Sequence, residues 1–122
     1  MVKDNEYKTR VKALVGLYIL TILEQSPAYG NEIAELIKGR TLGMISPNPN
    51  ALYPLLRKME ERGYIVGSWD KPDTRNKRVY SITEQGVSYI PTLREIVRQR
   101  INESERKLQI LRQDLFGEGR EE

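Results

Sequence analysis

Asn48-Pro49-Asn50-Ala51-Leu52-Tyr53-Pro54-Leu55-Leu56-Arg57-Lys58-Met59-Glu60-Glu61-Arg62-Gly63 is the stretch on which the fold turns. Asn48 is a side chain that caps the free N–H groups of a helix's first turn, and Pro49 suits the N1 position, where no N–H is needed. Leu52, Leu55, Leu56 and Met59 then fall on one face, and Gly63 supplies the stop. The opposite face carries Asn50, Pro54, Arg57 and Glu61, with Tyr53 and Lys58 on the flanks. The pattern predicts an amphipathic helix with a polar, hydrogen-bonding outer surface. Pro54 predicts a local bend or a later start, because its ring and missing N–H disturb the turn containing Asn50.

Downstream, Tyr64 to Trp69 and Arg78 to Ile82 are short runs rich in β-branched and aromatic residues. Residues 70–77 separate them with a Pro-Asp pair, so the spacing predicts a two-stranded hairpin with a long tip. Lys71 to Arg78 holds four basic residues and one acidic one, the densest positive cluster in the chain. Thr83 followed by Glu84 then marks an N-cap with an acidic first turn. A helical pattern continues through Phe116, with Ile90, Leu93, Val97, Ile101, Leu108, Leu111 and Leu115 on its apolar stripe and Pro91 as an expected kink. Fully helical, it would extend about 50 Å. That exceeds what a small domain covers, so the distal half calls for another chain.

Upstream, Val11, Leu14, Val15, Tyr18, Ile19, Ile22 and Leu23 recur at three- and four-residue spacing and predict a first, heavily buried helix over Tyr7 to Gln25. Ser26-Pro27 ends it. A short second helix places Ile33, Leu36 and Ile37 on one stripe and Glu32 in its first turn. The expected fold class is therefore mainly α with a small β-hairpin: a winged helix-turn-helix over residues 1–83, a long C-terminal dimerisation helix over 84–116, and a flexible tail over 117–122.

The composition narrows the chemistry. The 122 residues contain no Cys and no His, with 20 Lys+Arg against 17 Asp+Glu. Cysteine-ligated metals, thiol nucleophiles, imidazole ligands and Ser-His triads are excluded, as are histidine pH sensing and thiol redox sensing. No phosphate-binding glycine motif and no metal cluster is present, so the reading is not an enzyme, with no cofactor and no metal. No apolar run approaches the length of a membrane span, and the start of the chain has no signal-peptide core. A soluble cytoplasmic protein with no membrane partner is the expectation. The net charge of +3 is unevenly placed: residues 1–83 carry 13 basic and 9 acidic side chains, and residues 84–122 carry 7 and 8.

Three blocks, in order, resemble the PadR-type transcriptional regulators. Tyr29-Gly30-Asn31-Glu32-Ile33 is similar to the family's YGYEI segment. Asn48 to Arg57, continued by Glu60, Gly63, Tyr64 and Ile65, resembles its SPGTLYPLLRRLE motif. Val79-Tyr80-Ser81-Ile82-Thr83-Glu84-Gln85-Gly86 resembles its YYRLTEEG block. The resemblance implies a homodimeric repressor of the short subclass, bound to a pseudo-palindromic operator and joined through its long last helix. Phenolic acids or hydrophobic drugs relieve repression in some members. Two departures stand out: Asp70 to Arg78, where the family's wing often reads GGRPRKYY, has no glycine, and the single Trp, Trp69, lies in the wing and not in the last helix.

Within that frame the candidate DNA contacts are Tyr29, Asn48, Asn50, Tyr53, Arg57, Lys71, Arg75, Lys77 and Arg78. Asn50 suits a base edge or a phosphate, and Arg57 suits a guanine edge or a phosphate. Tyr53 suits a phosphate, and Arg75 is the minor-groove candidate at the tip. Leu93, Val97, Ile101, Leu108, Leu111 and Leu115 are the candidate dimer seam. Tyr7, Tyr18, Tyr89, Leu93, Ile96, Val97 and Arg100 are the candidate pocket for a small-molecule effector. The alternative is a winged-helix module that docks a protein and reads no DNA sequence, since a fold by itself does not fix a partner.

Overall fold

The computed structural model describes the backbone of residues 2–71 and 74–118 and the side chains of residues 12–69 and 77–118. The order of elements is α1 (Val2–Gln25), β1 (Ala28–Tyr29), α2 (Gly30–Arg40), α3 (Pro49–Glu61), β2 (Ile65–Lys71), β3 (Thr74–Ile82) and α4 (Glu84–Phe116). The architecture is a winged helix-turn-helix carrying a long C-terminal helix.

Helix α3 starts at Pro49, with the Asn48 side chain accepting the Ala51 N–H at 3.0 Å. It runs through Pro54 to Glu61, so the expected later start does not occur. Pro54 removes only the donor that would serve the Asn50 carbonyl, on an exposed face where water substitutes. At the other end Gly63 adopts φ 82°, and the N–H groups of Gly63 and Tyr64 return to the Glu60 and Met59 carbonyls. That positive φ turns the chain sharply into β2.

The sheet has three antiparallel strands in the order β1-β3-β2, one more than the predicted hairpin. Strand β1 is two residues long and pairs Ala28 with Tyr80 and Tyr29 with Val79. Its brevity hides it from any alternation pattern, and only the edge of β3 makes it a strand. The wing strands are also longer than predicted. Residues 70, 71 and 74–77 continue the ladder, with an irregularity between Trp69 and Lys71. Cross-strand pairing overrides the weak strand propensity of Asp, Lys and Asn there.

The core forms around α1. Ile19, Leu20, Ile33, Ile37, Leu52, Leu56 and Ile65 are fully buried, drawn from α1, α2, α3 and β2. Each contributes about 2 kcal/mol through removal of its side chain from water. Leu36, expected on the buried stripe of α2, is 47% exposed. The first turns of α4 belong to the same core: Ile90, Leu93 and Val97 are buried and α4 lies along α1. Beyond Arg100 every described residue of α4 is exposed.

The junction between wing and α4 is a dense knot of backbone bonding. The Thr83 hydroxyl donates toward the Gly63 and Tyr64 carbonyls and accepts the Gly86 N–H at 3.0 Å. The Thr83 N–H donates to the Tyr64 carbonyl at 3.1 Å, and the Gln85 side-chain amide reaches the Arg62 carbonyl at 3.0 Å. A Cβ at Gly86 would run into the Tyr64 carbonyl and the Ile82 side chain. Gly86→Ala is accordingly expected to lower unfolding free energy in urea by about 1–3 kcal/mol.

Tyr80 is 5% exposed, and burial pushes its phenol above the ordinary value, with the Arg78 charge opposing. A phenol raised on folding favours the folded state fully below the unfolded-state value of about 10 and loses that contribution as pH rises past it. Tyr80→Phe should therefore make the alkaline fall in melting temperature shallower, measured by circular dichroism above about pH 10.

Candidate nucleic-acid interface

The outer face of α3 presents Asn50, Ala51, Tyr53, Pro54, Arg57, Lys58 and Glu61 to solvent. Asn48 also lies at this edge, but its side-chain oxygen is bound by the Ala51 N–H, so only its amide N–H donors can face outward. Asn50 and Arg57 remain on the exposed face that helical spacing assigns them.

Beside this face, the start of α2, the side of α3 and the wing enclose a groove of about 230 Å³. Tyr29, Tyr53, Trp69 and Tyr80 wall it, with Lys77 and Arg78 at its rim. Tyr29 opens α2, and its N–H is accepted by the Glu32 carboxylate three residues on, at 2.9 Å. The Lys77 ammonium lies 5.5 Å from the Tyr29 ring centre, a cation–π distance. Tyr53 lies flat against the first residue of α2: a Cβ at Gly30 would come within 2.8 Å of its ring, so glycine there permits the approach. Tyr29, Tyr53 and Lys77 are thus brought together from three parts of the sequence. The side chains of Lys71 and Arg75 lie outside the described residues.

Arg78, a candidate phosphate contact, turns inward: its Nη2 donates to Glu60 Oε2 at 2.7 Å and to the Gly67 carbonyl at 2.9 Å. Its guanidinium lies 5.3 Å from the Trp69 ring centre and 5.9 Å from that of Tyr80. The ion pair, the Gly67 carbonyl and the two rings hold it there against the cost of its desolvation. Sequence reasoning missed Glu60 and Gly67 as its partners, because no local spacing rule links α3 to β3 across 18 residues.

The candidate effector residues divide. Tyr89, Leu93, Ile96 and Arg100 line one open cleft of about 350 Å³ between α1, the end of α3 and α4. The Tyr64 and Tyr89 rings stack at 4.5 Å on its wall, and Lys12, Lys58 and Arg62 join its rim. Tyr18 is not there; its ring sits 5.1 Å from the Arg40 guanidinium. Val97 is buried and does not line the cleft, and the Tyr7 side chain lies outside the described residues.

The predicted dimer stripe divides as well. Leu93 and Val97 are buried within the chain itself, because α4 packs along α1. Ile101, Leu108, Leu111 and Leu115 are 48–64% exposed, and Ile110 and Phe116 join them. Among the described residues there is no group of three or more metal-ligating side chains, and no helix is long and apolar enough to cross a membrane.

Comparison with known proteins places this geometry. Residues 19–92 match the model of the transcriptional regulator PadR-like family. The chain is 31% identical over 81 residues to the transcriptional regulator YqjI of Escherichia coli, covering 66% of this chain and 38% of that protein. It therefore spans about two fifths of the length of that relative. A PadR-like transcription factor from Bacteroides fragilis superposes with a TM-score of 0.65 at 22% identity, over 85% of this chain and 98% of that one. Bacillus subtilis PadR, solved in complex with operator DNA, gives a TM-score of 0.57 at 21% identity, over 65% and 44%. Those likenesses carry the fold, while the match over most of the winged unit carries the family: the chain belongs to the PadR-like family of transcriptional regulators, which are not enzymes.

Proposed function

We propose that the protein is a cytoplasmic repressor that binds a pseudo-palindromic DNA operator as a homodimer. The observation that carries the reading is the exposed polar face of α3 beside the Lys77-bearing wing. An α-helix of this kind fits the major groove, and cations flanking it neutralise phosphates. Asn50 and Arg57 are assigned to the groove, Tyr29, Tyr53 and Lys77 to the flanking backbone, with Lys71 and Arg75 at the tip of the wing. The structure of Bacillus subtilis PadR with its operator supports the assignment by similarity of fold.

Residues 1–83 are proposed as the DNA-binding unit, 84–116 as the dimerisation helix and 117–122 as a tail. The exposed apolar side chains of Ile101, Leu108, Leu111 and Leu115 would be covered by the same stretch of a second copy. Two recognition helices joined this way suit half-sites about 34 Å apart. The cleft at Tyr89 is the proposed effector site. Its four cations, Lys12, Lys58, Arg62 and Arg100, with no carboxylate among the described lining residues, favour an amphipathic anion.

Selection of bound sites from random duplexes, followed by titration against salt, tests the reading. Log affinity should fall linearly with log salt concentration, and the selected sites should be palindromic. No binding at low salt, or a flat slope, would remove it. Arg57→Ala should cost about 1–3 kcal/mol on the selected operator and much less on random duplex. Leu111→Glu should shift the protein to monomer in sedimentation and weaken operator binding with it.

A further inference from the structure

Glu60 stands in the last turn of α3, where one carboxylate oxygen gathers both strands of the wing. Its Oε2 accepts the Gly67 N–H of β2 at 3.1 Å and the Arg78 Nη2 of β3 at 2.7 Å. The same Nη2 donates to the Gly67 carbonyl at 2.9 Å, closing a three-membered ring of contacts across α3, β2 and β3. Gly67 is what allows this: a Cβ there would lie 2.6 Å from Nη2 and 3.0 Å from the Tyr80 ring. The Trp69 and Tyr80 rings flank the guanidinium. The ion pairs Arg98–Glu95 and Arg112–Glu118, by contrast, stay within α4 and its cap.

The location matters as much as the bonding. At the base of the hairpin, Ile65 and Tyr80 are buried in the core. Toward the tip the ribbon leaves it: Ser68, Trp69 and Lys77 are exposed. A two-stranded ribbon pivots where its packing ends, and the Glu60–Arg78 pair sits at that boundary. Lys77, adjacent in sequence to Arg78, stands over Tyr29 on the face that also holds Tyr53.

We infer that the Glu60–Arg78 pair is a latch that sets the pitch of the wing against the recognition helix, so that the wing cations and α3 meet one DNA surface together. The two residues are positioning residues and touch no phosphate. The inference rests on the DNA-binding reading for its consequence, but the latch itself has an optical readout that needs no DNA, since Trp69 is the chain's single tryptophan.

The decisive variant is Glu60→Gln. Removing a negative charge near a DNA surface raises affinity by electrostatics alone, and raises it further if Arg78 is released to a phosphate. A latch predicts the reverse. Glu60→Gln and Arg78→Gln should each lower affinity for the selected duplex about tenfold, the scale of one charged hydrogen bond. Lys77→Gln should flatten the salt slope by about one unit in the wild-type background and by much less when combined with Glu60→Gln. Arg78→Lys, which keeps a cation able to pair with Glu60 but not the planar guanidinium between the Trp69 and Tyr80 rings, should fall between the wild type and Arg78→Gln. Without DNA, Trp69 fluorescence anisotropy should fall in both glutamine variants while the thermal transition stays cooperative. Should Glu60→Gln fail to melt cooperatively, Glu60→Asp, which keeps the charge but shortens the reach, replaces it with the same expectations. Unchanged anisotropy, tighter binding by Glu60→Gln, or full additivity with Lys77→Gln would overturn the latch. If no duplex binds the wild type, the DNA-binding reading fails, and the anisotropy alone then decides for or against the latch.

Discussion

Burial of the α1 face around Ile19 and Leu20 is the constraint on which the molecule depends. Neither side chain touches solvent, and α2, α3, β3 and the first turns of α4 are all placed by packing against that helix. A core this small has no second layer to absorb an error, so large-to-small changes there act on several elements at once. The exposed α3 face and the groove beside it are by-products of this arrangement. Leu52 and Leu56 are held inward, and whatever lies on the far side of their helix must face water.

Around that core, short polar contacts fix what packing leaves loose. Thr83 joins the end of α3 to the start of α4 through its hydroxyl, and Asn48 fixes where α3 begins. The stack of Tyr64 on Tyr89 ties the entry of the wing to α4 on the opposite side. The Thr83 and Tyr64–Tyr89 contacts link elements that apolar burial alone would let slide, because burial is non-directional and hydrogen bonds and stacked rings are not.

How much of this was legible in the sequence depended on how local the signal is. Asn48, Pro49 and Gly63 punctuate α3 unaided, and Thr83 with Glu84 does the same for α4; those boundaries agree with the structure. Strand β1 left no trace, since two residues cannot show a period and their strand character comes from β3. The polar face of α3 was legible from angle alone, so Asn50 and Arg57 lie where expected. The partners of Arg78 were hidden for the opposite reason. In a basic run it looks like its neighbours, and only the fold brings Glu60 and Gly67 to it. Tyr18 was displaced from the cleft because, on a helix packed on several sides, periodicity reports burial without reporting which neighbour does the burying. The Leu93 to Leu115 stripe was continuous in sequence but serves two surroundings, since α1 ends its coverage near Arg100.

That division of α4 makes it a rigid lever with its fulcrum inside the domain. One end is clamped by Ile90, Leu93 and Val97 against α1, and the other projects through nineteen further residues to the Gly117 cap without an interruption. The projecting arm, about 29 Å from Val97 to Phe116, converts a tilt of about 5° at the fulcrum into a sweep of about 2.5 Å at the far tip. Angular precision where α4 meets α1 therefore sets linear precision at the far tip, and the loss or addition of one methylene at that contact is magnified along the rod's whole length.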